Sequence, residues 1–333
     1  MTWSVRGKDD LNILILSCGT RNKIVQYFKR ELAGRGVVVA TDCSELAPAL
    51  YEADQYYIVP RIDAEEYLDV ILNICRENSI KAVLSLIDPE LSLLAKHRDL
   101  FVQLGVIPMV SDYEVVELCL DKYKMASFLS SHGYLSAKSY ISKEEFFNDV
   151  DAGQVSYPVF VKPVKGSASV NVSKVGSKKE VELLFTKFDD LMIQEFMDGT
   201  ELGADVYIDM LTGEPVSIFT KEKLKMRSGE TDKSVSIKDE RLFHLIVDLS
   251  KTLGLKGVVD IDIFRIGGEY YISEINPRFG GGYPHAHECG ANMVDMLLRN
   301  VRGEQNAATI GHYDEDICML KYSDVRILRL SES

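Results

Sequence analysis

The chain has 333 residues, of which 46% are hydrophobic and 27% are charged, and its formal net charge is −13. This length supports two or three domains with substantial cores. The negative charge argues against nonspecific nucleic-acid binding and against binding to an anionic membrane surface. No apolar run approaches a membrane span, and residues 1–10 lack a signal-peptide core, so we expect a cytoplasmic protein. Its six cysteines include no C-x-x-C pair, which favours free thiols.

Residues 11–112 alternate between strand and helix signals. The continuous apolar run 11–16 is typical of a buried parallel strand. A turn and a helix with 3.6-residue periodicity at 22–32 follow it. Further strands are predicted at 37–40, 56–59, 82–86 and 106–110, with helices at 65–77 and 89–100. This alternation predicts a doubly wound parallel sheet, which we place in an N-terminal domain of residues 1–112.

The first strand, its glycine turn and the later Asp42 follow the outline of a dinucleotide site. The turn has one glycine where that fingerprint has three, so we do not expect NAD. The carboxyl ends of the strands can still bind another small ligand. Thr20, Arg21 and residues 86–88 are the candidates there, although each alone is better explained as a loop or capping residue.

A lysine stands inside a short apolar strand at 157–163. Lys162 is costly there unless its head reaches solvent or meets an anion. The small residues that follow, including Gly166, Ser167 and Ser169, let backbone amides approach phosphate oxygens. No Walker A signature is present.

A basic cluster occupies residues 216–238 of this acidic chain. The lysines at 221, 223 and 225 would share one face of a strand. Anion recognition and an edge strand protected by lysines explain this cluster equally well.

The stretch 257–282 reads as two β-rich runs around Gly267-Gly268, which predicts a hairpin. A two-residue turn would pair Asp262 with Ser273, whereas a three-residue loop would pair Asp262 with Glu274. We favour the loop, because it places Asp262, Glu274 and Asn276 together as oxygen ligands for magnesium. Asp260 is well explained as a scattered solvent-facing acid.

The segment His285, His287 and Cys289 carries soft-metal ligand types at alternate positions. No second ligand pair stands at finger-like spacing. We therefore favour lining of a substrate pocket over a zinc site.

The string SEINPRFGGG, preceded by an acid-bearing strand, resembles the metal-binding end of the ATP-grasp superfamily, in its carbamoyl-phosphate-synthase-like group. This resemblance implies an α/β and α+β protein in which a Rossmann-like pre-ATP-grasp domain precedes a two-lobed ATP-grasp module at 113–333. The lid lobe would cover about 135–196 and the core lobe about 197–333.

The resemblance also implies roles for individual residues. ATP would be bound by a set of side chains and backbone groups at Lys122, Lys162, Gly166, Ser167, Ser169, Glu195, Phe196 and Glu201. Mg²⁺, with Mn²⁺ as an alternative, would be held by Asp262, Glu274 and Asn276. Catalysis would rest on charge stabilisation by Arg278, Lys162 and Arg227.

We therefore expect an ATP-dependent ligase that activates a small carboxylate as an acyl-phosphate and joins it to an amine, with amino acids among the candidate substrates. A homodimer is expected from the same resemblance, and neither nucleic acid nor membrane is expected as a partner. Carbamoyl-phosphate or carboxyphosphate chemistry with bicarbonate is the first alternative. A nucleotide-binding regulator without catalysis is the second.

Overall fold

The computed structural model describes residues 11–166 and 172–328. A five-stranded parallel sheet forms first, in the order β3-β2-β1-β4-β5. Its elements in chain order are β1 (Asn12–Leu16), α1 (Asn22–Leu32), β2 (Val38–Asp42), a 3-10 helix (Pro48–Glu52), β3 (Gln55–Ile58), α2 (Tyr67–Glu77), β4 (Ile80–Ser85), α3 (Asp88–Lys96), α4 (Arg98–Gln103) and β5 (Ile107–Pro108). The predicted parallel sheet is confirmed, and its order reverses between β1 and β4, where such sheets bind ligands.

One predicted helix, residues 89–100, is two in the structure. The chain breaks at His97 between α3 and α4. Arg98 follows the break, and its Nη2 donates to the carbonyls of Val110 and Ser111, after β5, at 2.8 and 3.1 Å.

Two short helices and a four-stranded antiparallel sheet, ordered β6-β9-β7-β8, follow. The elements are α5 (Tyr113–Leu120), α6 (Lys122–Ser131), β6 (Ser139–Tyr140), α7 (Lys143–Asp151), β7 (Val159–Pro163), β8 (Ser173–Val175), α8 (Lys178–Lys187) and β9 (Leu191–Glu195). This sheet and α7 and α8 share a separate core that includes Phe146, Val161 and Ile193.

The largest sheet has six antiparallel strands in the order β14-β13-β10-β11-β12-β15. The elements are β10 (Thr200–Ile208), β11 (Pro215–Arg227), β12 (Glu230–Ile237), α9 (Glu240–Leu253), β13 (Gly257–Ile266), β14 (Glu269–Asn276), α10 (Tyr283–Glu288), α11 (Met293–Val301) and β15 (Cys318–Leu320). No helix within the described ranges is long and apolar enough to span a bilayer.

Alternation along β10 and β13 divides the six-stranded sheet into two faces. Leu202 and Ile261 are fully buried on the apolar face, in a core that continues to Ile13 and Phe28 of the parallel sheet. The Phe28 ring meets Phe279 edge-on, with centroids 6.0 Å apart. The parallel and six-stranded sheets therefore share one core, and the polar face of the six-stranded sheet is left to form a site.

Candidate functional site

The hairpin β13–β14 brings its acids together by a different route from the one predicted. Ile266 pairs with Glu269 around a two-residue turn in which Gly267 and Gly268 have φ of 58° and 86°, so the predicted three-residue loop is wrong. The register then shifts by one residue, because Ser273 bulges out of β14.

This bulge places Asp262 opposite Glu274 and Asp260 opposite Asn276. The predicted pairing of Asp262 with Glu274 is confirmed. Both pairs lie on the polar face of the sheet, since residues two apart on a strand share a face.

The side-chain oxygens of Asp262, Glu274 and Asn276 fit a hard divalent cation. Burial raises the pKa of Glu274, and Lys122 and Asp262 lie near it. The carboxamide oxygen of Asn276 accepts from Arg278 Nη2 at 3.3 Å. Two carboxylates and an amide oxygen match the ligand preference of Mg²⁺. No group of three or more His, Cys, Asp or Glu gathers for a metal in residues 11–166 and 172–328, so an ion here needs Asn276 and oxygens from a substrate or water.

Two lysines from different parts of the chain face Glu274. Lys122 opens α6 directly after the capping residue Asp121, whose carboxylate accepts from the Lys124 amide at 3.0 Å. The Nζ of Lys122 lies 3.6 Å from Glu274 Oε1 and also donates to the carbonyl of Gly166. The resulting cleft is lined by residues that include Asp88, Lys122, Gly166, Glu274 and Asn276.

Lys162 lies on β7 with its ammonium group largely buried. Its Nζ donates to Gln194 Oε1 at 2.6 Å, and burial lowers the pKa of Lys162 to about 8, against the opposing effect of Glu274. A buried ammonium group that is hydrogen-bonded to a neutral amide is stabilised further by an anion, so Lys162 marks an anion-binding position.

Two further predicted nucleotide contacts are Glu195, the last residue of β9, and Phe196, which follows it. The Glu195 amide donates to the Lys138 carbonyl at 2.9 Å, and its carboxylate accepts from the Lys138 amide at 3.2 Å. The Phe196 ring lies 5.6 Å from Phe160 and under the ammonium of Lys174. Ser167 and Ser169 lie outside the described residues.

Lys223 forms the floor of the site. Its Nζ lies 2.5 Å from Asp262 Oδ1 and 2.9 Å from Glu201 Oε1, and its side chain is 3% exposed. Burial opposes its charge, but these carboxylates together raise the pKa of Lys223. Glu201, predicted to bind ATP, is thus engaged with a lysine in this structure.

Sequence reasoning missed two acids below the site. Asp205 forms an ion pair with Lys221 in which the side chains are 0% and 1% exposed. Asp260, interpreted as a scattered surface acid, lies opposite Asn276, and burial raises its pKa to about 7. Its carboxylate packs so closely on Gly280 that a Cβ there would lie 2.4 Å from Asp260 Cγ. The spacing of Asp260 from Asp262 was the signal, because both must share one face.

Arg278 is held by Asp88, the first residue of α3. Its Nε and Nη2 donate to the two carboxylate oxygens of Asp88 at 2.9 and 3.1 Å, and its Nη1 donates to the Phe279 carbonyl at 3.1 Å. Despite burial, Asp88 raises the pKa of Arg278. This bidentate pair orients the guanidinium next to Asn276 and Glu274.

Arg227 and the histidines lie apart from this cluster of contacts. Arg227 is exposed at the end of β11, and its catalytic role stays a prediction. His285 Nδ1 lies 2.8 Å from Ser234 Oγ, whereas His287 stacks on Tyr27 with ring centroids 3.7 Å apart. Burial lowers the pKa of each histidine to about 4. The two rings therefore contact different elements and do not converge on a common ligand.

Comparisons with known proteins agree with this arrangement. Residues 13–110 match the family described as PylC-like, N-terminal domain, and residues 119–282 match the ATP-grasp domain. The chain is 26% identical to a carbamoyl-phosphate synthase of Methanobrevibacter smithii over 303 residues, which are 84% of this chain and 78% of that protein. It is 23% identical to a formate-dependent phosphoribosylglycinamide formyltransferase of Bacillus subtilis over 307 residues, covering 87% and 74%.

Among solved structures, the chain is similar to the biotin carboxylase domain of the Hydrogenobacter thermophilus 2-oxoglutarate carboxylase, crystallised as a dimer with MgADP, ADP and bicarbonate. The TM-score is 0.75 at 16% identity, with 94% of this chain and 74% of that chain covered. This likeness shows the fold.

Proposed function

The chain belongs to the ATP-grasp superfamily and is an ATP-dependent ligase, and we propose that it phosphorylates a small carboxylate and joins it to an amine. ATP and Mg²⁺ are the cofactors of this superfamily. The proposal concerns the residues that act and the class of substrate. It also includes a cytoplasmic location.

The convergence on Glu274 carries the proposal. Lys122 comes from α6, Lys162 from the four-stranded sheet, and Asp262 and Asn276 from the six-stranded sheet. Cations on one side and oxygen ligands on the other suit a nucleotide whose phosphates lie between the two sheets. A divalent ion held by Asp262, Glu274 and Asn276 would neutralise charge on the terminal phosphates.

The residues of the chain would then act by position and charge. Lys162 and Lys122 bind the phosphates, while Arg278, fixed by Asp88, faces the transferred phosphoryl group. A carboxylate oxygen attacks the γ-phosphorus and ADP leaves. An amine next attacks the acyl carbon and releases phosphate, forming the amide bond.

The four-stranded sheet supports closure over the nucleotide. It has its own core, separate from the core that joins the two larger sheets. Gly166 has a φ of 122°, a conformation that side-chain-bearing residues rarely adopt, at the point where the chain leaves β7 beside Lys122. A lobe with its own core can move as a unit and exclude water from the reaction.

The test is ADP formation with Mg²⁺, measured across a panel of amino acids and small acids offered alone and with amines. The proposed reaction requires ADP release that depends on both an acid and an amine. Glu274→Ala should abolish that release, because it removes a central oxygen ligand. Glu269→Ala is the matched control on the same strand, because this acid is exposed and its ion pair among the described residues is with Arg241, at 3.3 Å.

Normal turnover in the Glu274→Ala variant would remove the metal assignment. ATP binding without acid-dependent ADP release would instead indicate a regulator that binds nucleotide.

Bicarbonate is the second candidate acid, since the Methanobrevibacter relative is a carbamoyl-phosphate synthase. It would be phosphorylated at the same site, because it also presents a carboxylate oxygen. ADP release that requires bicarbonate and no other acid would favour it.

A further inference from the structure

Arg21 lies where the N-terminal parallel sheet meets the six-stranded sheet. It follows β1, at the reversal of strand order between β1 and β4, and it precedes α1. Its Nη2 lies 3.1 Å from Glu230 Oε1 at the start of β12. Glu230 also accepts from Lys321 Nζ at 2.9 Å. One carboxylate therefore contacts two cations here.

The other terminal nitrogen of Arg21, Nη1, is buried and has no hydrogen-bond partner within residues 11–166 and 172–328. A buried guanidinium N–H without an acceptor is unfavourable, which indicates that an acceptor is supplied from outside the chain. Nη1 faces the glycine segment that follows Arg278, because a Cβ on Gly281 would lie 2.9 Å from it.

The charge of a second guanidinium, that of Arg278, also acts on Arg21. Burial lowers the pKa of Arg21 most, and the charge of Arg278 lowers it further, although Glu230, Asp260 and Asp88 act in the opposite direction. Both arginines remain charged, since a guanidinium does not deprotonate in proteins. Two neighbouring like charges are stabilised by an anion that contacts both.

We infer that Arg21 binds the carboxylate of the acid substrate through Nη1, on the side of the site opposite the nucleotide phosphates. This inference rests on the proposed function and identifies a residue that recognises its acid substrate. The planar fork of a guanidinium matches a carboxylate, so the site selects the ionised acid against its neutral amide or ester. Glu230 holds the other arm of Arg21 and leaves Nη1 directed at the glycine segment.

The test uses the full-length protein saturated with Mg²⁺ and the non-hydrolysable nucleotide AMPPNP, with inorganic phosphate as the anion probe. The γ-phosphoryl group of AMPPNP fills the phosphate position next to the metal ligands, so added phosphate reports on the second anion site. Binding is measured by titration calorimetry for the wild type, Arg21→Gln and Glu230→Gln.

Arg21→Gln should weaken phosphate binding by about tenfold or more, because a charge-assisted hydrogen bond is lost. Its affinity for AMPPNP should stay within about twofold of wild type, which also shows that the variant is folded. Glu230→Gln should keep at least wild-type phosphate affinity, because the glutamine amide oxygen still accepts from Arg21 Nη2 and a negative charge beside the anion site is removed. Once the screen identifies an acid, Arg21→Gln should raise its KM and leave the KM for ATP unchanged.

Unchanged phosphate binding in Arg21→Gln would overturn the inference. Equal losses in Arg21→Gln and Glu230→Gln would also overturn it, because Arg21 would then serve only to attach β12. Failure of the proposed function gives a different result, in which the wild type releases no ADP in response to acid and amine, whether or not it binds AMPPNP.

Discussion

Lys162 offers the sharpest test of the nucleotide site, because its charge is costly before ATP arrives. Its pKa falls from 10.5 to about 8 through burial. Since one pH unit corresponds to about 1.4 kcal/mol, holding the charged form in the folded protein costs roughly 3 kcal/mol at neutral pH. An anionic ligand offsets this cost, so ATP binding and protonation of Lys162 must be linked.

With a pKa of about 8, the charged fraction of Lys162 falls about tenfold between pH 7 and pH 9. The affinity of the wild type for AMPPNP at saturating Mg²⁺ should fall about tenfold over the same range. Lys162→Met should bind AMPPNP weakly at every pH and without this slope. Titration calorimetry at pH 7, 8 and 9 measures the AMPPNP affinity of both proteins. A flat wild-type profile, or a slope retained in Lys162→Met, would refute the assignment of Lys162 to the phosphates.

The pH dependence of folding stability tests Lys162 independently. Above pH 8 the folded protein releases the Lys162 proton, whereas the unfolded chain keeps it to about pH 10.5, so wild-type stability rises with pH in this window. Lys162→Met lacks this gain. The difference in unfolding free energy between the two proteins should therefore change by about 3 kcal/mol between pH 8 and pH 10.5, measured by urea denaturation and circular dichroism. A constant difference would contradict the buried, depressed lysine.

Two further predictions concern ion pairs around the site. Asp88→Ala leaves the buried Arg278 without its bidentate partner, so the free energy of unfolding should fall by about 3–5 kcal/mol. In the same variant kcat should fall by a larger factor than the KM for ATP changes. An unchanged kcat would show that Arg278 does not need Asp88 for its position. Lys221→Met leaves Asp205 as an unpaired buried acid and should lower the free energy of unfolding by a similar amount, about 3–5 kcal/mol. The double variant Lys221→Met/Asp205→Leu should recover most of the lost stability. Urea denaturation of single and double variants checks this, and an additive double variant would speak against a direct pair.

Much of the framework follows from local pattern. The apolar run of β1 and the helical periodicity of α1 predict a parallel sheet, because those signals arise from burial of single elements. The spacing of Glu274 and Asn276 places them on one face, because successive side chains of a strand alternate. The lysine in the apolar strand β7 likewise marks an anion site without reference to distant residues.

The predicted pairing of Asp262 with Glu274 is correct, but the way the hairpin reaches it depends on tertiary structure. Their register depends on the bulge at Ser273, and a bulge depends on how two strands twist together, which the turn residues alone do not specify. The same limit explains why Asp260 was interpreted as exposed: its burial comes from Gly280, which returns over the sheet after the hairpin ends.

Spacing within single elements is enough to predict which residues share a face and where the turns lie, and the resemblance of SEINPRFGGG to the ATP-grasp superfamily supplies the expected chemistry. Contacts between distant elements account for the rest: Asp88 fixes Arg278, Lys223 neutralises Asp262 and Arg21 meets Glu230. Those contacts join elements far apart in sequence. Packing of the parallel sheet against the six-stranded sheet brings Asp88 to Arg278 and Arg21 to Glu230, whereas pairing of β10 with both β11 and β13 brings Lys223 to Asp262.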